Sequence, residues 1–157
     1  DVTWHAGNWN KHSLGIALVY KTDPKWEDRA VKGLPRESAD AVYPFLADLV
    51  SHAEEILVEM CIKWNLPPSK VVGHRELKGT GWLFNNKGSR VLRKTCPGMA
   101  VDMELVRSRV GRKLQEVLKD TGYYQGKLDG LFGPKSKAAL KEASSDLILL
   151  TGQSNMK

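Results

Sequence analysis

His74 and Cys96 are the residues whose types and setting could do chemistry. An imidazole nitrogen and a thiolate are donors that zinc accepts, and a catalytic zinc takes three protein ligands with a fourth position left for water or substrate. His74 ends a short run, Lys70-Val71-Val72-Gly73-His74, and Cys96 lies in the turn-rich string Lys94-Thr95-Cys96-Pro97-Gly98. Lys94, two residues before the thiol, could bring an ammonium to the oxyanion that develops as an amide carbonyl is attacked. Alone, two donors 22 positions apart also fit a surface histidine and an inert thiol, and Lys94 also fits a solvated lysine. Cys61 follows the apolar rhythm of a helix and reads as a core residue. Two cysteines are too few to staple a disulfide scaffold.

The elements that would position these groups follow from periodicity. Ser13 to Tyr20 is almost continuously apolar and rich in strand-forming residues, so it reads as a strand buried on both faces, ended by Asp23-Pro24. Residues 21–36 read as a polar connection. Over residues 38–64, Val42, Phe45, Leu46, Leu49, Ala53, Ile56, Leu57, Met60 and Trp64 recur at spacings of three and four, one stripe of an amphipathic helix. Ser38 or Asp40 can cap its start, and Leu66-Pro67-Pro68 closes it. Lys70–His74 reads as a second strand, residues 75–95 as a long polar loop, and Asp102 as the cap of a helix starting near Met103. Strand, long helix, strand predicts an α/β domain over residues 1–107, with a right-handed crossover.

Composition changes after Val110. Residues 112–120 read as a helix with Leu114, Val117 and Leu118 on its apolar stripe. Residues 121–134 are dense in turn formers, and residues 135–143 are helical again. Residues 108–157 are therefore expected to form a small helical unit, with Leu128 and Phe132 in its core and Pro134 at the first position of its last helix.

Two sets of motifs carry a resemblance. Val72-Gly73-His74-Arg75-Glu76, then Lys94-Thr95-Cys96-Pro97-Gly98 and Asp102, together with upstream His5-Ala6-Gly7-Asn8-Trp9-Asn10 and Ser13-Leu14-Gly15-Ile16, resemble the zinc-dependent N-acetylmuramoyl-L-alanine amidases related to phage lysozyme-type amidases and peptidoglycan recognition proteins. The tail string Gly122-Tyr123-Tyr124 through Asp129-Gly130 and Phe132-Gly133-Pro134 resembles a small three-helix peptidoglycan-binding module. The first resemblance implies a mixed central sheet flanked by helices. It implies His74 and Cys96 as two of three ligands to Zn2+, Lys94 as the catalytic lysine, and His5, Trp9 and Asn10 as substrate-groove residues. The implied reaction is hydrolysis of the amide between N-acetylmuramic acid and the L-alanine of the stem peptide.

This sequence departs from the family pattern in three places. The family's first zinc histidine precedes the His5 loop, so that ligand and its strands are expected to lie outside this chain; His5, His12 or His52 would substitute only after rearrangement. Ala17 stands where some members carry a glutamate. The segment from Arg75 to Arg93 is longer than usual and contains Trp82, Leu83 and Phe84, expected to pack over the groove or contact substrate.

The formal net charge is +6, which suits an anionic partner such as cell-wall polymer. Lysines and arginines are dispersed, with a loose cluster from Lys87 to Lys94, and a nucleic-acid-binding reading rests on charge alone. No stretch approaches the roughly 20 apolar residues of a membrane span. The expected partner is peptidoglycan, met by a secreted, periplasmic or phage-encoded protein. The alternative is a protein with an amidase-like fold that binds muropeptide without cutting it.

Overall fold

The computed structural model describes residues 12–77, 82–84, 90–92 and 95–152. Five helices account for most of them: α1 (Pro24–Val31), α2 (Ala39–Val42), α3 (Leu46–Trp64), α4 (Met103–Asp120) and α5 (Pro134–Gly152). Strand β1 (Trp82–Phe84) pairs antiparallel with β2 (Arg90–Leu92), with Trp82 opposite Leu92 and Phe84 opposite Arg90. The chain divides into two compact units, residues 1–50 with 72–101, and residues 51–71 with 102–157.

The expected mixed central sheet is not found: the described residues are helical, with this one short ribbon as their sheet. Residues 13–20 form no strand, and Leu14 and Val19 are exposed. An apolar, strand-forming run becomes a strand only when a neighbour pairs with its backbone, and none among the described residues does. Lys70–His74 is not a strand either. It is bounded by two 3₁₀ turns, Pro68–Lys70 and His74–Glu76, and Pro68 sits in the first turn, where its missing N–H costs nothing.

In the first unit, Asp23 and Pro24 start a helix rather than end a strand. The Asp23 carboxylate accepts from the Trp26 amide at 2.8 Å, and Pro24 occupies the first turn. Trp26 is buried, and its indole donates to the Glu37 carbonyl at 2.9 Å. Tyr43 packs edge-on against Trp26 and Tyr20 at centroid distances of 5.5 and 5.6 Å.

The helix expected over residues 38–64 is two helices, broken at Tyr43 and Pro44. Tyr43 has left helical geometry, as a residue before proline is driven to do. The last turn of α3 ends as the sequence suggests. Asn65 adopts a left-handed conformation, and the Leu66 amide donates back to the Cys61 carbonyl at 2.9 Å ahead of Pro67. Its buried face is shifted from the expected stripe. Leu46, Val50, Glu54, Val58 and Cys61 are buried, whereas Phe45, Ile56 and Trp64 are about half exposed. Glu54 turns inward because α4 supplies cations: Lys113 Nζ lies 3.1 Å and Arg109 3.8 Å from its carboxylate. Such partners offset the desolvation of a buried charge.

In the second unit, Asp102 caps α4 by accepting from the Leu105 amide at 3.1 Å. Val106, Val110, Leu114 and Leu118 are buried along one face of α4. They share the unit's core with Tyr124, Ala139, Leu140 and Ala143. Leu128 and Phe132, expected in the core, are half-buried; Tyr124 is buried in their stead, its hydroxyl donating to the Lys127 carbonyl at 2.8 Å. Gly111 explains a glycine in mid-helix: a Cβ there would stand 2.7 Å from the Gly130 carbonyl. Gln115, fully buried, ties the turn to both helices. Its amide donates to Asp129, the Leu131 carbonyl and Ser136, and its oxygen accepts from the Gly130 amide at 2.9 Å.

Candidate functional site

His74 opens the 3₁₀ turn His74–Glu76, which follows extended Gly73. The Glu76 carboxylate closes the turn by accepting from the Gly73 amide at 2.7 Å. Cys96 lies in the loop that runs from Thr95 to Asp102. Two consecutive turns shape this loop, with the Gly98 amide donating to Thr95 at 2.7 Å and the Val101 amide to Gly98 at 3.1 Å.

Arg75 joins the two segments. Its backbone amide donates to the Cys96 carbonyl at 3.1 Å. Its guanidinium donates to the carbonyls of Thr95 at 3.3 Å, Gly98 at 2.6 Å and Val101 at 2.6 Å. Thus the turn bearing His74 and the loop bearing Cys96 are adjacent at the backbone.

The rest of the loop is held from α1 and the segment before it. The Tyr20 hydroxyl donates to the Pro97 carbonyl at 2.8 Å, and the Glu27 carboxylate accepts from the Met99 amide at 3.0 and 3.2 Å. Burial, with the Glu27 carboxylate nearby, pushes the Tyr20 hydroxyl up to about 12, so it stays protonated and able to donate well into the alkaline range. Gly98 has φ +109°, and a Cβ there would fall on the Tyr20 hydroxyl, so only glycine lets the tyrosine reach the loop. While the loop backbone is engaged at Thr95, Cys96, Pro97, Gly98, Met99 and Val101, the Cys96 side chain itself is exposed. A cleft of about 600 Å³ beside Met99 is lined by Trp26, Leu34, Arg36, Glu37 and Ala100. The Arg36 guanidinium lies over the Trp26 ring at 5.0 Å.

Imidazole and thiolate are the donor types zinc takes, so the chemistry of His74 and Cys96 fits that ion. No cluster of three histidine, cysteine or acidic side chains with ligating geometry occurs among the described residues. Lys94, His5, Trp9 and Asn10 lie outside the described residues, as do the side chains of Trp82, Leu83 and Phe84. His52 is on α3, in the middle of that helix.

Sequence reasoning missed Tyr20 and Glu27, and passed over Arg75 as part of a motif. The available signal was the Asp23-Pro24 start of α1, which places Trp26 and Glu27 in a helix's first turn.

A protein-family model described as N-acetylmuramoyl-L-alanine amidase matches residues 1–99. The matched span includes His74 and Cys96 and also Tyr20, Glu27 and Arg75. No curated protein and no solved structure matches the chain.

Proposed function

The chain belongs to the N-acetylmuramoyl-L-alanine amidase family, and from that premise we propose that it is a zinc-dependent peptidoglycan hydrolase acting on the cell wall. In this reading it cuts the amide between the lactyl group of N-acetylmuramic acid and the L-alanine of the stem peptide. The observation that carries it is the backbone hydrogen bond from Arg75 to Cys96 at 3.1 Å, which keeps the His74 turn beside the Cys96 loop.

His74 and Cys96 would hold the metal. When bound, zinc supplies Lewis acidity for the scissile carbonyl and brings the pKa of the attacking water towards neutrality. The chain's own groups do the rest. Lys94 brings an ammonium to the oxyanion developing on the carbonyl, where a fixed charge acts without reorganisation. In this reading His5, Trp9 and Asn10 bind and orient the muropeptide. Hydrolysis breaks the carbonyl carbon–nitrogen bond. The oxygen of water joins the lactyl carbon, and a proton goes to the departing L-alanine amine.

Residues 108–157 serve as a wall-binding segment in the same reading. Tethering a cutting domain to a binding one raises its effective concentration at the polymer. The net charge of +6 favours an anionic wall. No helix among the described residues is long and apolar enough to cross a membrane.

The test pairs zinc content of the purified chain with muropeptide release from isolated peptidoglycan, for the chain and its Cys96→Ala variant. Stoichiometric zinc and release, both lost in the variant, would support this reading and require a third ligand within this chain besides His74 and Cys96. Wall binding with neither zinc nor release would replace this reading with that of a non-cutting peptidoglycan-binding member of the family.

A further inference from the structure

We infer that Arg75 is a positioning residue that sets the Cys96 thiolate for metal binding. This inference rests on the reading of Cys96 as a ligand. Four donations from one residue enter one loop: the Arg75 amide to Cys96, and its guanidinium to Thr95, Gly98 and Val101. The Thr95 and Gly98 carbonyls are also the acceptors that define the loop's two turns, so Arg75 bonds both turns at once.

A rigid planar fork with five N–H donors can reach carbonyls three residues apart from one position, which the single ammonium of lysine cannot. Tyr20 and Glu27 hold the Pro97 carbonyl and the Met99 amide of the same loop. The loop backbone is therefore held by Arg75, Tyr20 and Glu27 together, while the Cys96 side chain is exposed. Since the arginine directly follows His74, the same residue links the backbones that carry both candidate donors. Groups that orient ligands in this way typically alter metal affinity by about ten- to a hundred-fold when removed.

The experiment uses the full chain and its Arg75→Lys, Arg75→Gln and Cys96→Ala variants, loaded with Co2+ as a spectroscopic substitute for zinc. The readouts are the thiolate-to-cobalt charge-transfer absorption, the zinc Kd from competition with a chromophoric chelator, and far-UV circular dichroism for the fold. Expected for Arg75→Lys and Arg75→Gln is a helical spectrum like that of the parent chain, a weakened charge-transfer band and a zinc Kd raised about ten- to a hundred-fold. Cys96→Ala should abolish the band. A parental band and Kd in the Arg75 variants, with the band lost in Cys96→Ala, would overturn the positioning role alone. Unfolding of both Arg75 variants would also overturn it, assigning the residue to stability. Unchanged metal binding in Cys96→Ala would instead remove Cys96 as a ligand, and both readings with it.

Discussion

Replacing Gly98 with alanine probes the loop through a single added carbon. At φ +109° the backbone lies where only glycine is comfortable, and holding another residue in such a region costs about 1–3 kcal/mol. The new Cβ would also fall on the Tyr20 hydroxyl, 3.1 Å from the ring carbon bearing it and 3.4 Å from a Glu27 carboxylate oxygen. Relief requires the tyrosine to withdraw, losing its bond to the Pro97 carbonyl, worth about 1 kcal/mol. Alanine restores some of this by restricting the unfolded chain, by about 0.4–1 kcal/mol. The expected net loss is about 2–3 kcal/mol, read as a lowered urea midpoint at neutral pH. A double-mutant cycle separates the two causes. In the Tyr20→Phe background the hydroxyl is gone, so Gly98→Ala should cost about 1 kcal/mol less, while the backbone strain persists. A loss below about 0.5 kcal/mol would refute the strained-loop reasoning. Equal losses in both backgrounds would refute the contact with Tyr20.

Two further outcomes follow from buried groups in the second unit. Gln115→Leu keeps the side chain's bulk but leaves the Gly130 amide and Ser136 hydroxyl without that partner, so urea unfolding should show a loss of about 2–4 kcal/mol, from one or two unsatisfied groups; parental stability would refute Gln115 as the tie of this turn. Burial pushes the Cys61 thiol up from 9.0 to about 11. Its folded value exceeds its unfolded one, so this contribution is complete below about pH 9 and lost as pH rises through about 11, amounting to about 3 kcal/mol at the upper end. Urea midpoints between pH 8 and 11 should fall, and Cys61→Ala should flatten the fall; an unchanged slope in that variant would exclude the thiol as its source.

Particular residues show why some of this was readable in advance. The N-cap at Asp102, the helix stop before Leu66-Pro67-Pro68 and the start of α5 at Pro134 are set by neighbours in the chain, and all occur as the residue types suggest. Asp23-Pro24 misled because the pair that ends a strand also caps a helix, and both uses satisfy the same local geometry. The strands expected at Ser13–Tyr20 and Lys70–His74 failed because an extended run carries no information about its pairing partner. On α3 the apolar stripe was a plausible face, yet Glu54 is inside, since the decisive cations are on α4.

By itself, then, the sequence determined the family: its motifs are short strings of chemistry-bearing residues, and a family model matching residues 1–99 agrees with them. It also determined helix ends, where caps and prolines act within a few residues of themselves. Only the tertiary structure decided which face of α3 is buried and that Arg75, Tyr20 and Glu27 converge on the Cys96 loop. Tyr20 meets the Pro97 carbonyl across 77 residues and Glu27 the Met99 amide across 72. Contacts of that range depend on how the intervening chain folds, and no periodicity or local motif encodes them.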